Sequence, residues 1–371
     1  MSDNLRLFQK IFKYLKKVYS GKAKGQLLKR LFTLALFING IIASNSTNLP
    51  KIAENIVDNN KDESRIKKLT RWLQNDYIEF EGLFLPFIEI LLSSFSNQTI
   101  YLSIDGSTVG RGCICLLVSI IFKNRALPIA WLVVKQKKGH LPEDFHIELV
   151  EMVNNLIPDS NDVVLLGDGE FDGIDLQAIV VDFGWKYALR TAHNSILWED
   201  GEQFPFHNIE PAAPNDYFSI PNVLFTREKY GPVHAIIWWN KNYKDPIFLL
   251  TNMELAEQAC FCYKKRFKIE TFFSDIKSRG FNIHKSHIDD PKRIFRLLIA
   301  SCLAYIWMIY LGTLAMRDGY YLQIHRTDRC DLSLFSLGKK LLKHFMNSAS
   351  KIPIEFCVLD FDDPFELKSV R

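Results

Sequence analysis

The sequence predicts an α/β protein: a mixed sheet flanked by helices, with an all-helical N-terminal region and a β-rich insert before the helix that carries Glu270. Three observations carry this. Residues 1 to about 98 read as helices. Residues 100–189 then read as three apolar strands, a helix, and alternating strand and helix. A proline-punctuated stretch of short β-type runs follows, before helical spacing returns near residue 254.

In the N-terminal region, Lys10, Lys13, Lys16, Lys17, Lys22, Lys24, Lys29 and Arg30 precede the apolar stretch 31–43. A second basic cluster, Arg65, Lys67, Lys68 and Arg71, leads into Trp72 and Leu73. Basic helices with interspersed apolar residues are compatible with a DNA-reading module or with plain solvated faces. No apolar leader of signal-peptide type is present at residues 1–17, which are charged throughout.

The texture changes at Asn97 and Gln98. Residues 100–104, 113–122 and 126–134 are strand-like, and 142–156 has helical spacing opened by Pro142, Glu143 and Asp144. Residues 163–166 form a short buried strand, 172–181 a helix and 185–189 another strand. From 191 to 252, prolines at 205, 211, 214, 221, 232 and 246 separate short β-type runs. A long helix is expected over roughly 254–278, another over 291–316 and a weaker one over 334–345. The organisation predicted is 1–98 helical, 99–190 first part of the core, 191–252 insert, 253–318 second part of the core, and 319–371 C-terminal helix and tail.

At 371 residues and 48% hydrophobic, the chain can bury a large core, and nothing in its composition indicates disorder. The net charge of +4 neither demands nor excludes a nucleic-acid partner. Seven cysteines, none in a CxxC pair, fit neither a zinc knuckle nor a disulfide framework, so reduced, buried thiols are expected. Residues 297–316 carry no charge and reach the ~20 residues of a bilayer span. The stretch stands alone and contains Ser301, Tyr305, Tyr310, Gly312 and Thr313, so a buried core helix is the reading adopted.

Three acidic residues carry the chemistry. Tyr101, Ser103 and Asp105 share one face of the first strand, and Gly106 follows at once, so Asp105 is expected where the strand stops. The run 163–166 leads through Gly167 to Asp168 and Gly169 in the same design. A carboxylate beside an apolar sheet costs several kcal/mol unless paired or metal-bound, so two such cases point to a site. Tyr263, Arg266, Glu270 and Lys277 fall within an arc of roughly 60° on a continuous helix at about 100° per residue. An ordinary charge ladder would look similar. Together, the acids suit two hard divalent cations acting on a phosphodiester, with Arg266 and Lys277 as phosphate donors.

Residues 263–277 match Y-x2-R-x3-E-x6-K at all four positions, and this resembles the signature of bacterial insertion-sequence transposases of the DDE class. Ile104-Asp105-Gly106-Ser107 is similar to that family's first-aspartate motif, and Gly167-Asp168-Gly169-Glu170-Phe171 to its second. The resemblance covers about residues 25–318. It implies an RNase H-like core and Asp105, Asp168 and Glu270 as catalytic metal ligands. Two Mg²⁺ or Mn²⁺ ions are implied at these ligands, with Tyr263, Arg266 and Lys277 at the DNA. Its partners would be double-stranded DNA, both inverted repeats and target, and a second copy or larger assembly, with no membrane and a nucleoid location in the cytoplasm. The resemblance also points to an insert tryptophan stacking on a flipped base. Trp198, Trp238 and Trp239 are available, and core or rim tryptophans are the equal alternative. Glu170 and Asp172 compete with Asp168 as second ligand. A DNA-binding remnant that no longer cuts is the alternative function.

Overall fold

The computed structural model describes residues 3–136, 139–209, 213–214, 216–240, 243–348 and 350–362; Pro211 and the tail beyond 362 lie outside them. Six helices come first: α1 (Asp3–Val18), α2 (Gly25–Ser44), α3 (Leu49–Glu54), α4 (Asp62–Leu73), α5 (Phe80–Leu83) and α6 (Leu85–Ser93). In α1, Leu7, Ile11 and Leu15 recur every four residues and are buried, while Lys13, Lys16 and Lys17 remain exposed. In α4, Leu69, Trp72 and Leu73 are buried and Lys67, Lys68 and Arg71 face out. The two basic clusters are therefore solvated faces of helices whose opposite sides are core.

The sheet begins with β1 (Ile100–Gly110), β2 (Cys113–Phe122) and β3 (Arg125–Lys135), an antiparallel meander. After α7 (Glu143–Asn154) comes β4 (Val163–Gly167), parallel to β1, and after α8 (Ile174–Asp182) comes β5 (Lys186–Thr191), parallel to β4. The resulting order β3-β2-β1-β4-β5 is RNase H-like. The insert supplies β6 (Ile196–Glu199), β7 (Glu202–Pro205), β8 (Tyr217–Phe225) and β9 (Tyr230–Trp238), and β10 (Ile247–Thr251) joins it to β5. The strands of the β-rich insert thus extend the central sheet to ten strands, in the order β10-β9-β8-β6-β7.

The chain returns through α9 (Ala256–Tyr263), α10 (Ile269–Ile276), α11 (Pro291–Arg317), α12 (Tyr321–Ile324) and α13 (Leu334–Asn347). The expected single helix over 254–278 is divided. Between α9 and α10 lies a 3₁₀ turn, Arg266–Lys268, where Lys265 N donates to Cys262 O and Lys268 N to Lys265 O. Asp290 caps α11 by accepting from Arg293 N at 2.8 Å, with Pro291 in the first turn. Both α2 and α11 are long and apolar enough to cross a membrane, but 94% of the most apolar stretch of α11 is buried within the protein. Helix α11 packs on α2, α4, α13 and β3, and is the core helix expected for 297–316. Its contact with α13 needs two glycines: a Cβ on Gly338 would lie 1.9 Å from Met308 O, and one on Gly312 2.1 Å from Leu334 O. All seven cysteines are free; Cys330 and Cys357 are only half-buried.

Candidate active site

Strand β1 does not stop at Asp105. Gly106, Ser107 and Thr108 continue the ladder with Leu116, Cys115 and Ile114 of β2. What stops is the other side. Pairing with β4 covers only Ile100 to Ser103, so from Asp105 onward β1 has lost its parallel neighbour. Asp168 follows the last residue of β4. The two aspartates therefore stand where two parallel strands part at their carboxyl ends, the usual place for sites in open α/β sheets. A turn in which Phe171 N donates to Asp168 O and Glu170 N to Asp168 Oδ1 fixes the second one.

Ser103, on the same face as Asp105, donates from Oγ to Arg266 O at 3.2 Å, which anchors the 3₁₀ turn over β1. Arg266 is buried, and its guanidinium reaches all three acids. Nη1 is 3.9 Å from Asp105 Oδ2 and 3.6 Å from Asp168 Oδ2, and Nη2 is 3.7 Å from Glu270 Oε1. The structure thus brings Asp105, Asp168 and Glu270 around one cation. Their side chains are progressively more open to water, at 19%, 34% and 61%.

Asp105 takes a backbone hydrogen bond from Gly106 N at 2.7 Å. Burial nevertheless pushes its carboxyl up to about 7, helped by the negative charges of Asp168 and Glu270 and opposed by Arg266. At neutral pH this side chain is poised between its charged and neutral forms. A nearby positive charge would settle it in the ionised one.

Tyr263 and Arg266, both expected at the DNA, are buried. Tyr263 is fully buried with its hydroxyl unpaired among the described residues, and Arg266 is turned to the carboxylates. Lys277 lies just past α10, and its Nζ donates to Ser107 Oγ at 2.5 Å. Burial lowers its ammonium, and Asp105 opposes that shift. Ser107 was not singled out from sequence. It shares a strand face with Asp105, a signal visible once β1 is allowed to continue past Gly106.

Glu170 accepts from Leu141 N at 2.8 Å and lies 3.7 Å from His146 Nε2, while Asp172 accepts from Thr191 Oγ1. Neither pairs with Arg266, which favours Asp168 among the three. Trp198 and Trp239 spend their indole N–H groups on Thr226 O and Tyr243 O, and Trp238 is buried. A cleft of about 680 Å³ runs from Asp168 and Gly169 along Arg190 to the insert.

Among the described residues, no three His, Cys, Asp or Glu side chains converge closely enough as placed to hold a metal ion. The donor set nevertheless fits one. Three carboxylates from a strand, a strand end and a helix surround a single positive group, and hard divalent cations take oxygen ligands of this kind. The burial and the repulsion that raise Asp105 are what such a cation would offset.

Comparison with known proteins gives the family. Residues 104–307, more than half of the chain, match the family model described as Transposase DDE domain. The chain belongs to that family and is a DNA transposase. No match is found among curated protein sequences. Among solved structures, the chain is similar to piggyBac transposase in a cryo-EM synaptic complex with hairpin DNA. The TM-score is 0.47 at 12% identity, covering 94% of this chain and 80% of that one.

Proposed function

We propose that Asp105, Asp168 and Glu270 hold two divalent cations, Mg²⁺ or Mn²⁺. With them the enzyme would cut phosphodiester bonds at the inverted-repeat ends of an insertion sequence and join the freed 3′-hydroxyl to target DNA. The observation that carries this reading is the Arg266 guanidinium in reach of all three acids, which marks them as one electrostatic unit. Bound cations would supply the activation of water or 3′-hydroxyl and stabilise the leaving oxygen.

The chain's own residues do the rest. Strand β1 and the end of β4 hold two acids rigidly, and α10 brings the third. Arg266 balances their charge while no cation is bound and, released from them, has the fork geometry to grip a phosphate. Lys277, held by Ser107, offers an ammonium to the DNA backbone beside Asp105. Tyr263 supports the turn from beneath, packing against Phe267. The exposed lysines of α1 and α4 are read as the surface that binds element ends, with two or more copies assembled on DNA in the nucleoid.

The test uses the full chain and a supercoiled plasmid carrying the DNA that borders its gene. Nicking at short inverted repeats in Mg²⁺ or Mn²⁺, stopped by a chelator and lost in Asp105→Ala with end binding retained, is the expected result. Specific end binding without cleavage in either cation would instead identify a silent DNA-binding remnant.

A further inference from the structure

We infer that Arg190 and the cleft it lines form a second backbone-binding site, which holds a phosphate of the DNA strand next to the one being cut. This rests on the reading of Asp105, Asp168 and Glu270 as the cutting site and adds a residue to its grip on substrate.

The argument starts from register. Strands β4 and β5 pair Leu166 with Ala188 and Gly167 with Leu189. One step further along the same parallel ladder sets Arg190 beside Asp168. Side chains alternate along a strand, so Arg190 shares the face of Ala188, as Asp168 shares that of Leu166. Both also border one cleft of about 680 Å³, which wraps past the end of these strands and lies within the ~300–1,000 Å³ that ligand clefts occupy. The cleft continues past His193 and His207 over Phe248.

The other cations of the site are engaged. Arg266 is buried among three carboxylates, and Lys277 is bound to Ser107. Lys264 lies over the ring of Trp238, and Lys265 over Tyr101 and Phe261. The Arg190 side chain is exposed and makes no hydrogen bond or ion pair among the described residues, although its charge is felt at Tyr263. A solvent-facing guanidinium one strand away from the cutting carboxylates is fit to grip a phosphate through two parallel N–H donors.

Three carboxylates also line the cleft and must be answered for. Glu170 is turned to Leu141 N and His146, and Asp168 faces the Arg266 guanidinium at 3.6 Å. Asp245 lies on the insert side of the cleft, and its charge directs the strand toward Arg190.

The test measures binding in a chelator, by anisotropy of a fluorescent duplex whose sequence borders the gene. Arg190→Ala should weaken binding about tenfold at low salt and reduce the slope of log affinity against log salt by about one ion. Arg190→Lys should restore the slope while recovering only part of the affinity, a rescue that a merely structural role would not produce. Wild-type slope and affinity in Arg190→Ala overturn the inference. So does a loss that Arg190→Lys does not rescue. Asp105→Ala is assayed for cleavage beside them. If it still cuts, the site on which the inference rests is gone; if it is inert while Arg190→Ala behaves as wild type, only the role of Arg190 falls.

Discussion

Two carboxylates of this protein, half-buried Asp105 on β1 and buried Asp275 on α10, meet opposite surroundings. Burial is the first cause that raises each, Asp105 to about 7 and Asp275 to about 6. Beside Asp105, two further acids share one arginine. Beside Asp275, Arg125 Nη1 sits 3.1 Å from Oδ2, and Arg279 and Lys339 add positive charge. One cluster is short of positive charge and open toward solvent; the other has a surplus and is closed between β3, α10 and α13. The lesson is that burial of an acid does not by itself mark a site. A shortage of counter-charge at a partly open one does.

The largest effect expected from this contrast is on catalysis. Asp168→Ala and Glu270→Ala should each lower metal-dependent cleavage by roughly 10³-fold or more, because the cations lose a ligand they cannot replace. Asp275→Asn should leave the cleavage rate per folded molecule within a few-fold. If Asp275→Asn is as inert as Asp168→Ala, the contrast is wrong.

Next comes stability, where the order reverses. Asp275→Ala leaves Arg125 buried without its partner and should cost about 3–5 kcal/mol in urea unfolding. Asp168→Ala should cost far less, since it relieves repulsion at Asp105. A loss below about 1 kcal/mol for Asp275→Ala would show that Arg125 is solvated well enough to do without its partner.

Proton linkage gives a third, smaller effect. A carboxyl whose folded value lies above its unfolded one binds its proton more tightly in the native state. Native stability therefore falls as pH rises from about 4 to about 7 for Asp105. Asp105→Asn keeps the shape and removes the ionisation. In chelator it should be more stable than wild type at pH 8, by on the order of 2 kcal/mol after discounting for partial exposure, and nearly equal at pH 4. Thermal melts at the two pH values test this, and an equal gain at both would assign it to something other than charge.

Much of this contrast is visible in the sequence on one side and invisible on the other. Asp105 and Asp168 stand out because each follows an apolar strand-like run and precedes glycine, and Glu270 because of its spacing from Arg266 and Lys277. Element order in the core follows from hydrophobic period. The burial of Arg266 does not, because helical spacing groups it with Glu270 without saying which elements cover that face. Ser107 was lost by ending β1 at a glycine that the ladder with β2 carries through. The pairing of Arg125 with Asp275 joins residues 150 positions apart and leaves no local trace. The pairing of β10 with β5, which draws the insert into the main sheet, is equally non-local.

The smallest effect separates two lysines of similar environment. Burial lowers the ammonium of both Lys277 and Lys339, opposed by Cys115 and Asp105 for the first and by Asp275 for the second. Lys277 stands at the mouth of the acid-rich site, so Lys277→Ala should reduce the salt slope of DNA binding by about one ion and affinity by less than tenfold. Lys339 belongs to the closed cluster, so Lys339→Ala should leave the slope untouched and register only in urea unfolding, by roughly 1 kcal/mol. Equal slopes for wild type and Lys277→Ala would place that ammonium with Lys339, as a structural partner of its aspartate instead of a contact for DNA.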